Sequence, residues 1–134
     1  MNNALPIKFL KTEKALQKLS AVLKRSPDDD AMIDASIQRF EFTIGLLWKL
    51  LRGILMQEGI QDLEYPKKIL IKAYSSGLIN DEKLWLDMLN DRNETSHVYD
   101  EERAKEIYRH IQNYYPVMQS TFDTLQKKYG NVGK

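Results

Sequence analysis

Apolar positions along this chain recur at spacings of three and four, which is typical of amphipathic α-helices. The first stretch runs from about Leu5 to Arg25, and the second, the longest and most apolar, ends near Glu58 with Gly59 as its terminating residue. The seam of the second stretch consists of Ile33, Ile37, Phe40, Ile44, Leu47, Leu51 and Ile54. Further apolar residues lie outside this seam. Several neighbours must therefore cover the second helix, either from the same chain or from a second subunit.

Capping and turn residues separate these helical stretches. The run Ser26-Pro27-Asp28-Asp29-Asp30 combines a capping hydroxyl, a proline and acidic side chains, which predicts the start of the second helix. A shorter helix is predicted from Tyr65-Pro66 to Gly77, and Asn80-Asp81 is predicted to cap the helix after it. The chain is thereby divided into helices joined by short loops.

The last helical pattern starts at the acidic turn that Asp100 opens and continues to about Tyr129. Pro116 lies inside it, removes one backbone donor and predicts a kink or a restart near Tyr115. No strand alternation, glycine-rich phosphate loop or internal repeat is visible. We therefore predict an all-α fold: one domain, residues 1–134, that is an antiparallel up-and-down four-helix bundle with one or two short additional helices. Residues 130–134 are predicted to form a flexible tail.

Composition narrows the possible functions. With 134 residues and a net charge of +1, the chain lacks the strongly basic balance of a typical nucleic-acid-binding protein. The absence of cysteine excludes disulfides and thiolate metal sites, and two histidines without ligand spacing predict no metal and no cofactor. A row of lysines interrupts the N-terminal stretch: Lys8, Lys11, Lys14 and Lys18. This row argues against a signal peptide or membrane span and favours a solvated face over a phosphate-binding rail, so we expect a soluble cytoplasmic protein.

Candidate chemistry is concentrated in Asp91-Arg92-Asn93-Glu94-Thr95-Ser96-His97-Val98-Tyr99-Asp100, between two helical patterns. Arg92 falls on the same stripe as Trp85 and Met88, and an inward guanidinium requires an anion because a buried unpaired charge is costly. On one straight helix, His97 would point roughly 140° away from Arg92. The two side chains can converge only if the chain turns, and the residues between them favour caps and turns.

The string from Arg92 to Tyr99 resembles the R-x4-H-x-Y signature of the HEPN superfamily, the higher eukaryotes and prokaryotes nucleotide-binding domain. More narrowly, the chain resembles the branch of nucleotidyltransferase substrate-binding proteins. The flanking segments that also match, in the same order, are Arg39-Phe40-Glu41-Phe42-Thr43, Leu47-Trp48-Lys49, Ala73-Tyr74, Gly77-Leu78-Ile79, Trp85-Leu86-Asp87-Met88 and Tyr99-Asp100-Glu101. The resemblance spans most of the chain. It implies an all-helical protein, usually a homodimer, encoded beside a small nucleotidyltransferase in a two-gene toxin-antitoxin system.

The resemblance also implies roles for individual residues. In several members of the superfamily, the signature arginine and histidine act in metal-independent RNA cleavage, so Arg92 and His97 are the expected catalytic residues here. Asp91 and Asn93 are expected to support the motif. The partner nucleotidyltransferase silences the toxin by transferring AMP onto the signature tyrosine, which would be Tyr99, and the expected ligands are RNA or a nucleotide.

Three hypotheses remain open at this point. The first is a ribonuclease whose acid and base are the His97 pair of a two-fold dimer, with Arg92 on the phosphate. The second is a non-catalytic module that binds a nucleotide or presents a substrate to a separate nucleotidyltransferase. The third is a structural bundle whose motif only locks a helix junction: Arg92 pairs with a nearby carboxylate or caps the end of its helix, and His97 and Tyr99 fix the turn. His110, the remaining histidine, is predicted to be a surface or packing residue. Acidic residues crowd the motif and count against the first hypothesis: Asp87, Asp91, Glu94, Asp100, Glu101 and Glu102.

Overall fold

The computed structural model of the protein describes residues 4–25, 29–95 and 100–130. Within these ranges the chain forms α1 (Ala4–Leu23), α2 (Asp30–Gln57), α3 (Pro66–Ser75), α4 (Glu82–Thr95) and α5 (Glu101–Tyr129). The described residues contain no β-strand, which confirms the predicted all-α fold. None of these helices combines the length and the hydrophobicity that a bilayer crossing requires.

Four of the helices alternate in direction, and the short α3 is inserted between α2 and α4. Between α1 and α2, Thr43 lies against Ala15 and Gly53 lies beside Lys8. Between α4 and α5, Asp91 binds His110 and Glu94 binds Arg103. In both pairs the residue number rises along one helix as it falls along the other, so the helices are antiparallel. Helices α2 and α5 pack against each other, while α1 and α4 make no mutual contact within the described ranges and lie on opposite sides of that pair. The arrangement is the predicted up-and-down bundle, with α3 as the additional helix.

The core is built around α2, whose seam is covered by the other helices. Leu47, Leu51 and Ile54 of α2 are completely buried, as are Trp85 of α4 and other large side chains on α1 and α5. Burying an aliphatic or aromatic side chain of this size stabilises a fold by about 1.5–3 kcal/mol. Phe42 is different, because it remains 58% exposed on α2. Helices of the same chain therefore supply most of the cover that the sequence pattern required.

Helix boundaries agree closely with the capping residues. Gly59 and Gly77 follow the C-termini of α2 and α3, and both adopt a φ of 80°, a left-handed conformation that favours glycine. The N-cap of α2 is Asp29, whose carboxylate accepts a hydrogen bond from the Ala31 N–H at 2.9 Å. The predicted capping residue Ser26 lies outside the described residues. The acidic run thus supplies the cap directly, one residue before the helix.

Helix α5 passes through Pro116 without interruption, so the predicted restart near Tyr115 is wrong. Pro116 is exposed, whereas Tyr114 and Met118 on either side of it are buried. The backbone donor that proline lacks is therefore missing on the solvent side, where water can satisfy the unpaired carbonyl. Packing of the buried flanking residues keeps the two halves of α5 in one helix.

Candidate functional site

Arg92 lies in the last turn of α4 and lines a groove of about 400 Å³ between α2 and the start of α3, called the Arg92 groove below. Its guanidinium Nε is buried and has no hydrogen-bond partner among the described residues. The indole N–H of Trp48, which lines the same groove, also lacks a partner in this part of the chain. An unpaired buried donor costs about 1–3 kcal/mol. Arg92 therefore has the inward position predicted for it, with capacity to bind an acceptor.

Asp91 points to the opposite side of α4 and joins that helix to α5. Its carboxylate is only 6% exposed, and it accepts a hydrogen bond from the Tyr114 hydroxyl at 2.5 Å. His110 Nδ1 lies 2.8 Å from the same carboxylate oxygen, and it donates because a carboxylate can only accept. Arg103 lies 3.8 Å from the other oxygen. These contacts hold α4 against α5 at the residue directly before Arg92.

A second set of contacts, centred on Arg103, fixes the final turn of α4. Its guanidinium donates two hydrogen bonds to one Glu94 oxygen, at 2.6 and 2.8 Å, and also pairs with Glu106 on its own helix. The hydrogen bond to Glu94 raises the pKa of Arg103 above its ordinary value, although partial burial acts in the opposite direction. Arg103 therefore occupies the role of carboxylate partner that the structural hypothesis gave to Arg92. Within the described ranges, Arg92 forms no ion pair with a carboxylate.

The acidic residues around the motif are largely neutralised or directed away from Arg92. Asp91 and Glu94 pair with Arg103, and Asp87 accepts from Lys83 at 3.0 Å. Asp100 and Glu101, together with Asp34 and Glu41 of α2, line a second groove of about 480 Å³, called the acidic groove below. Thr95 lines this groove, whereas Arg92, one turn earlier, lines the other. Across the described residues, no three histidine or acidic side chains are grouped as metal ligands.

The predicted site residues are thus distributed over different faces of one helix end. Arg92 faces the groove beside α2, Asp91 faces α5, and Asn93 is exposed. Helix α4 continues through Thr95, so the turn expected from Asn93 onwards does not begin before residue 96. His97 and Tyr99 lie in 96–99, outside the described residues. The convergence of Arg92 with His97 therefore remains a prediction.

Sequence reasoning missed the part of α5 that faces Asp91. Arg103, His110 and Tyr114 follow one another at spacings of seven and four, which places them on one face of the helix. His110 was interpreted as a surface or packing residue, whereas in the structure its half-exposed ring binds a buried carboxylate. Polar side chains on the otherwise apolar inward stripe of α5 were the available signal. They indicated that a polar partner lies on the facing helix.

Ionisation of Tyr114 should make the protein sensitive to alkaline pH. Burial, and secondarily the hydrogen bond to Asp91, raise the pKa of Tyr114 well above its ordinary value of 10.0. As the pH rises above 10, the unfolded chain therefore loses the Tyr114 proton before the folded chain does. The contribution of Tyr114 to the free energy of unfolding is complete below pH 10 and decreases above it. We expect the free energy of unfolding to fall by up to about 1.4 kcal/mol per pH unit above pH 10 on this account.

Denaturant unfolding between about pH 9 and 11 measures this dependence. The Tyr114→Phe variant should show a shallower alkaline decline than the parent, whatever its stability at neutral pH. Tyr74→Phe removes an exposed hydroxyl and is the matched control, for which the parent slope is expected. Equal slopes for the parent and Tyr114→Phe would contradict this assignment.

Comparisons with known proteins cover almost the entire chain. A family model described as nucleotidyltransferase substrate binding protein like matches residues 7–127. A curated relative, the probable ribonuclease HepT of Haemophilus influenzae, is 34% identical over 106 residues, which is 76% of this chain and 71% of the relative. Both the last turn of α4 and the residues of α5 that bind Asp91 lie inside the family match.

Two solved structures share the fold. A crystal structure from Thermus thermophilus has 34% identity and a TM-score of 0.80, with coverage of 86% of this chain and 98% of that one. A structure from Haemophilus influenzae has 29% identity and a TM-score of 0.67, with coverage of 94% and 99%. The latter is described as revealing the fold of a substrate binding domain of a nucleotidyltransferase.

Proposed function

The chain belongs to the family of nucleotidyltransferase substrate binding protein-like domains, and on this basis we propose that it is a metal-independent RNA endonuclease, the toxin of a two-gene system. The observation that carries the proposal is the state of Arg92: a partly buried guanidinium beside a groove, without a carboxylate partner among the described residues. The name of the relative from Haemophilus influenzae, probable ribonuclease, supports the same reaction class. Three of the six acids that argued against an RNA substrate, Asp87, Asp91 and Glu94, are paired with basic side chains.

Each chemical requirement of RNA cleavage has a candidate side chain. His97 acts as general base and takes the proton of the ribose 2′-hydroxyl, whose oxygen then forms a bond to phosphorus. The fork of the Arg92 guanidinium binds two phosphate oxygens and stabilises the negative charge of the phosphorane. A second His97 protonates the 5′-oxygen as the phosphorus–oxygen bond breaks, which leaves a 2′,3′-cyclic phosphate and a 5′-hydroxyl. These groups supply a base, an acid and a cation without a metal.

The need for two histidines explains why we propose a homodimer. Each copy supplies one histidine at the motif, whereas simultaneous acid and base catalysis uses two. A two-fold axis beside the motif would place two copies of Arg92 and His97 in one cleft. The hydrogen bonds between α4 and α5 hold each Arg92 backbone in a fixed position, which favours such an arrangement because catalysis depends on accurate placement.

We propose that a cognate minimal nucleotidyltransferase controls this activity. The Tyr99 hydroxyl oxygen attacks the α-phosphorus of ATP, and pyrophosphate leaves, so that AMP becomes attached to the tyrosine. The added phosphate carries negative charge two residues from His97 and competes with RNA for Arg92. Similarity to a domain described as binding the substrate of a nucleotidyltransferase supports association with such an enzyme.

The test is RNA cleavage in the presence of a chelator, with and without prior incubation of the protein with the partner enzyme and ATP. We expect the unmodified protein to cleave RNA to products with 2′,3′-cyclic phosphate ends, and the AMP-modified protein, identified by mass spectrometry, to be inactive. Tyr99→Phe should cleave RNA but resist silencing. Absence of cleavage by the unmodified protein, or equal cleavage by His97→Ala, would refute the proposal.

A second candidate function is a non-catalytic subunit that binds a nucleotide or presents a substrate to the nucleotidyltransferase. It is favoured by the description of the Haemophilus influenzae structure as a substrate binding domain. Under this alternative, the purified complex binds nucleotide more tightly than the transferase alone, and RNA is not cleaved by either. The two candidates therefore differ in a single measurement, the RNA cleavage by this chain without its partner.

A further inference from the structure

The Arg92 groove adjoins a larger basic groove on the other side of α2. This second groove, of about 780 Å³, lies between the first turns of α1 and the last turns of α2, and is called the α1 groove below. Lys8, Lys49 and Arg52 line it, and its lining includes no acidic residue. Lys49 and Arg52 line the Arg92 groove as well. Cationic side chains thus follow one another from α1, across α2, to Arg92.

Lys8 is held at this surface by a close approach of α1 to α2. A Cβ atom at Gly53 would lie 3.5 Å from both Cδ and Cε of Lys8 and 3.3 Å from Cδ1 of Leu5. The aliphatic stem of Lys8 therefore packs over a glycine that leaves room for it, and Lys8 is half-buried. Lys49 lies one helical turn before Gly53, on the same face of α2. Lys8 and Lys49 consequently line the same groove.

The rest of the lysine row on α1 differs from Lys8. Lys11, Lys14 and Lys18 are exposed and line neither basic groove. The interpretation of the row as a solvated face holds for these three side chains. Lys8 is set apart by its contact with Gly53 and by its position in the α1 groove.

These cations have no carboxylate partners in the described part of the chain. Lys72, Lys83 and Arg103 each form an ion pair there, whereas Lys8, Lys49, Arg52 and Arg92 do not. Arg52 is nevertheless fixed, because its Nε donates to the Leu63 carbonyl at 3.2 Å. Glu64 is the acid that lines the Arg92 groove, and it is exposed. Several cations share this surface without internal neutralisation, so an external anion would be bound favourably.

We propose that the two basic grooves form one track for the phosphate backbone of single-stranded RNA, which reaches Arg92 after crossing Lys8, Lys49 and Arg52. This inference rests on the proposed function, because it identifies the path of the RNA substrate. A linear polyanion fits the arrangement, since the cations line two successive grooves instead of surrounding one pocket. The acidic groove on the other side of the last turn of α4 repels phosphates. The strand therefore approaches from the Lys8 side.

The test measures binding of a fluorescein-labelled 2′-O-methyl RNA of about 12 nucleotides to the full chain. This probe lacks the attacking 2′-hydroxyl, so binding is observed without cleavage. The double variant Lys8→Gln/Lys49→Gln should reduce the slope of log affinity against log salt by about 1.4, because each phosphate contact in a single strand contributes about 0.7. The same relation predicts an affinity loss of about tenfold at about 0.15 M salt.

Lys14→Gln/Lys18→Gln is the matched control, because it makes the same change in net charge at exposed positions of the same helix. It should keep the slope and affinity of the parent, and thermal unfolding should show that both double variants are folded. Equal binding by the two double variants would overturn the track. The track would also be overturned if ATP, or inorganic phosphate, bound as tightly as the RNA. It would be overturned as well if the change at Lys8 and Lys49 abolished only the complex with the nucleotidyltransferase and left RNA binding intact.

The outcome separates this inference from the ribonuclease proposal. If the parent cleaves RNA and the Lys8→Gln/Lys49→Gln variant binds RNA as tightly as the parent does, only the track is refuted. Binding that depends on these lysines, without cleavage by the parent, would refute the ribonuclease alone.

Discussion

Replacing Arg92 with alanine should lower the rate of RNA cleavage by about 100- to 1000-fold, the usual effect of removing one group that stabilises transition-state charge. The guanidinium lies beside the groove and pairs with no described carboxylate, so under the proposed function its charge is available to the RNA phosphate. Arg92→Lys should be intermediate, because it keeps the charge but loses the fork that binds two phosphate oxygens. Single-turnover cleavage in chelator measures both variants.

The fold of the Arg92→Ala variant should remain close to that of the parent. Arg92 contributes no ion pair within the described ranges, and its removal also eliminates a buried donor without a partner. Thermal unfolding provides this control, and His97→Ala, expected to lose about 100- to 10,000-fold in rate, provides the catalytic comparison. If Arg92→Ala instead destabilised the bundle and left cleavage unchanged, the purely structural hypothesis would be correct.

Replacing Asp91 with alanine should destabilise the protein by about 3 kcal/mol, since hydrogen bonds to a charged group contribute about 1.5–3 kcal/mol each and their loss leaves buried partners unpaired. The hydroxyl of Tyr114 and the ring of His110 both lose their acceptor, and Arg103 loses one of its carboxylates. For a domain of this size, the midpoint of thermal unfolding should fall by about 10 °C.

Asp87→Ala is the appropriate control for this measurement. Asp87 lies one turn earlier on α4, but its side chain is 42% exposed and pairs with exposed Lys83. A surface pair of this kind contributes no more than about 1 kcal/mol. Asp91→Asn should lie between the two, because the amide oxygen still accepts from Tyr114. A loss for Asp91→Ala no greater than that for Asp87→Ala would show that the buried contacts do not stabilise the fold.

Much of the fold could be predicted because helical periodicity and caps are local properties. The positions of Gly59, Gly77 and Asp100 set helix limits through the conformation or hydrogen bonding of each residue itself. Pro116 does not cause the restart predicted near Tyr115, for a different reason. Its local cost is offset by burial of neighbouring residues against other helices, which a single helical pattern does not contain.

The candidate site was less predictable, since its decisive contacts join residues far apart in the chain. Periodicity placed Arg92 on the inward face of α4, in agreement with the structure. It did not show that Asp91, 19 residues before His110 and 23 before Tyr114, binds both. A helical pattern gives the face of each side chain, whereas the pairing of two faces depends on helix packing. For that reason Arg103 was missed as the partner of Asp91 and Glu94, and the structural hypothesis considered Arg92 instead.

The anchoring of both sides of residues 96–99 has a consequence for regulation. Thr95 ends a helix that is joined to α5 through Asp91 and Glu94, and Asp100 is the cap of α5 itself. Under the proposed function, an AMP group on Tyr99 is therefore a tethered inhibitor with a reach of only a few residues. Such a linkage gives effective concentrations on the order of millimolar. Even an adenylate with weak intrinsic affinity for Arg92 would then exclude RNA that is present at low concentration. Raising the RNA concentration would not restore activity, so reactivation would require removal of the AMP.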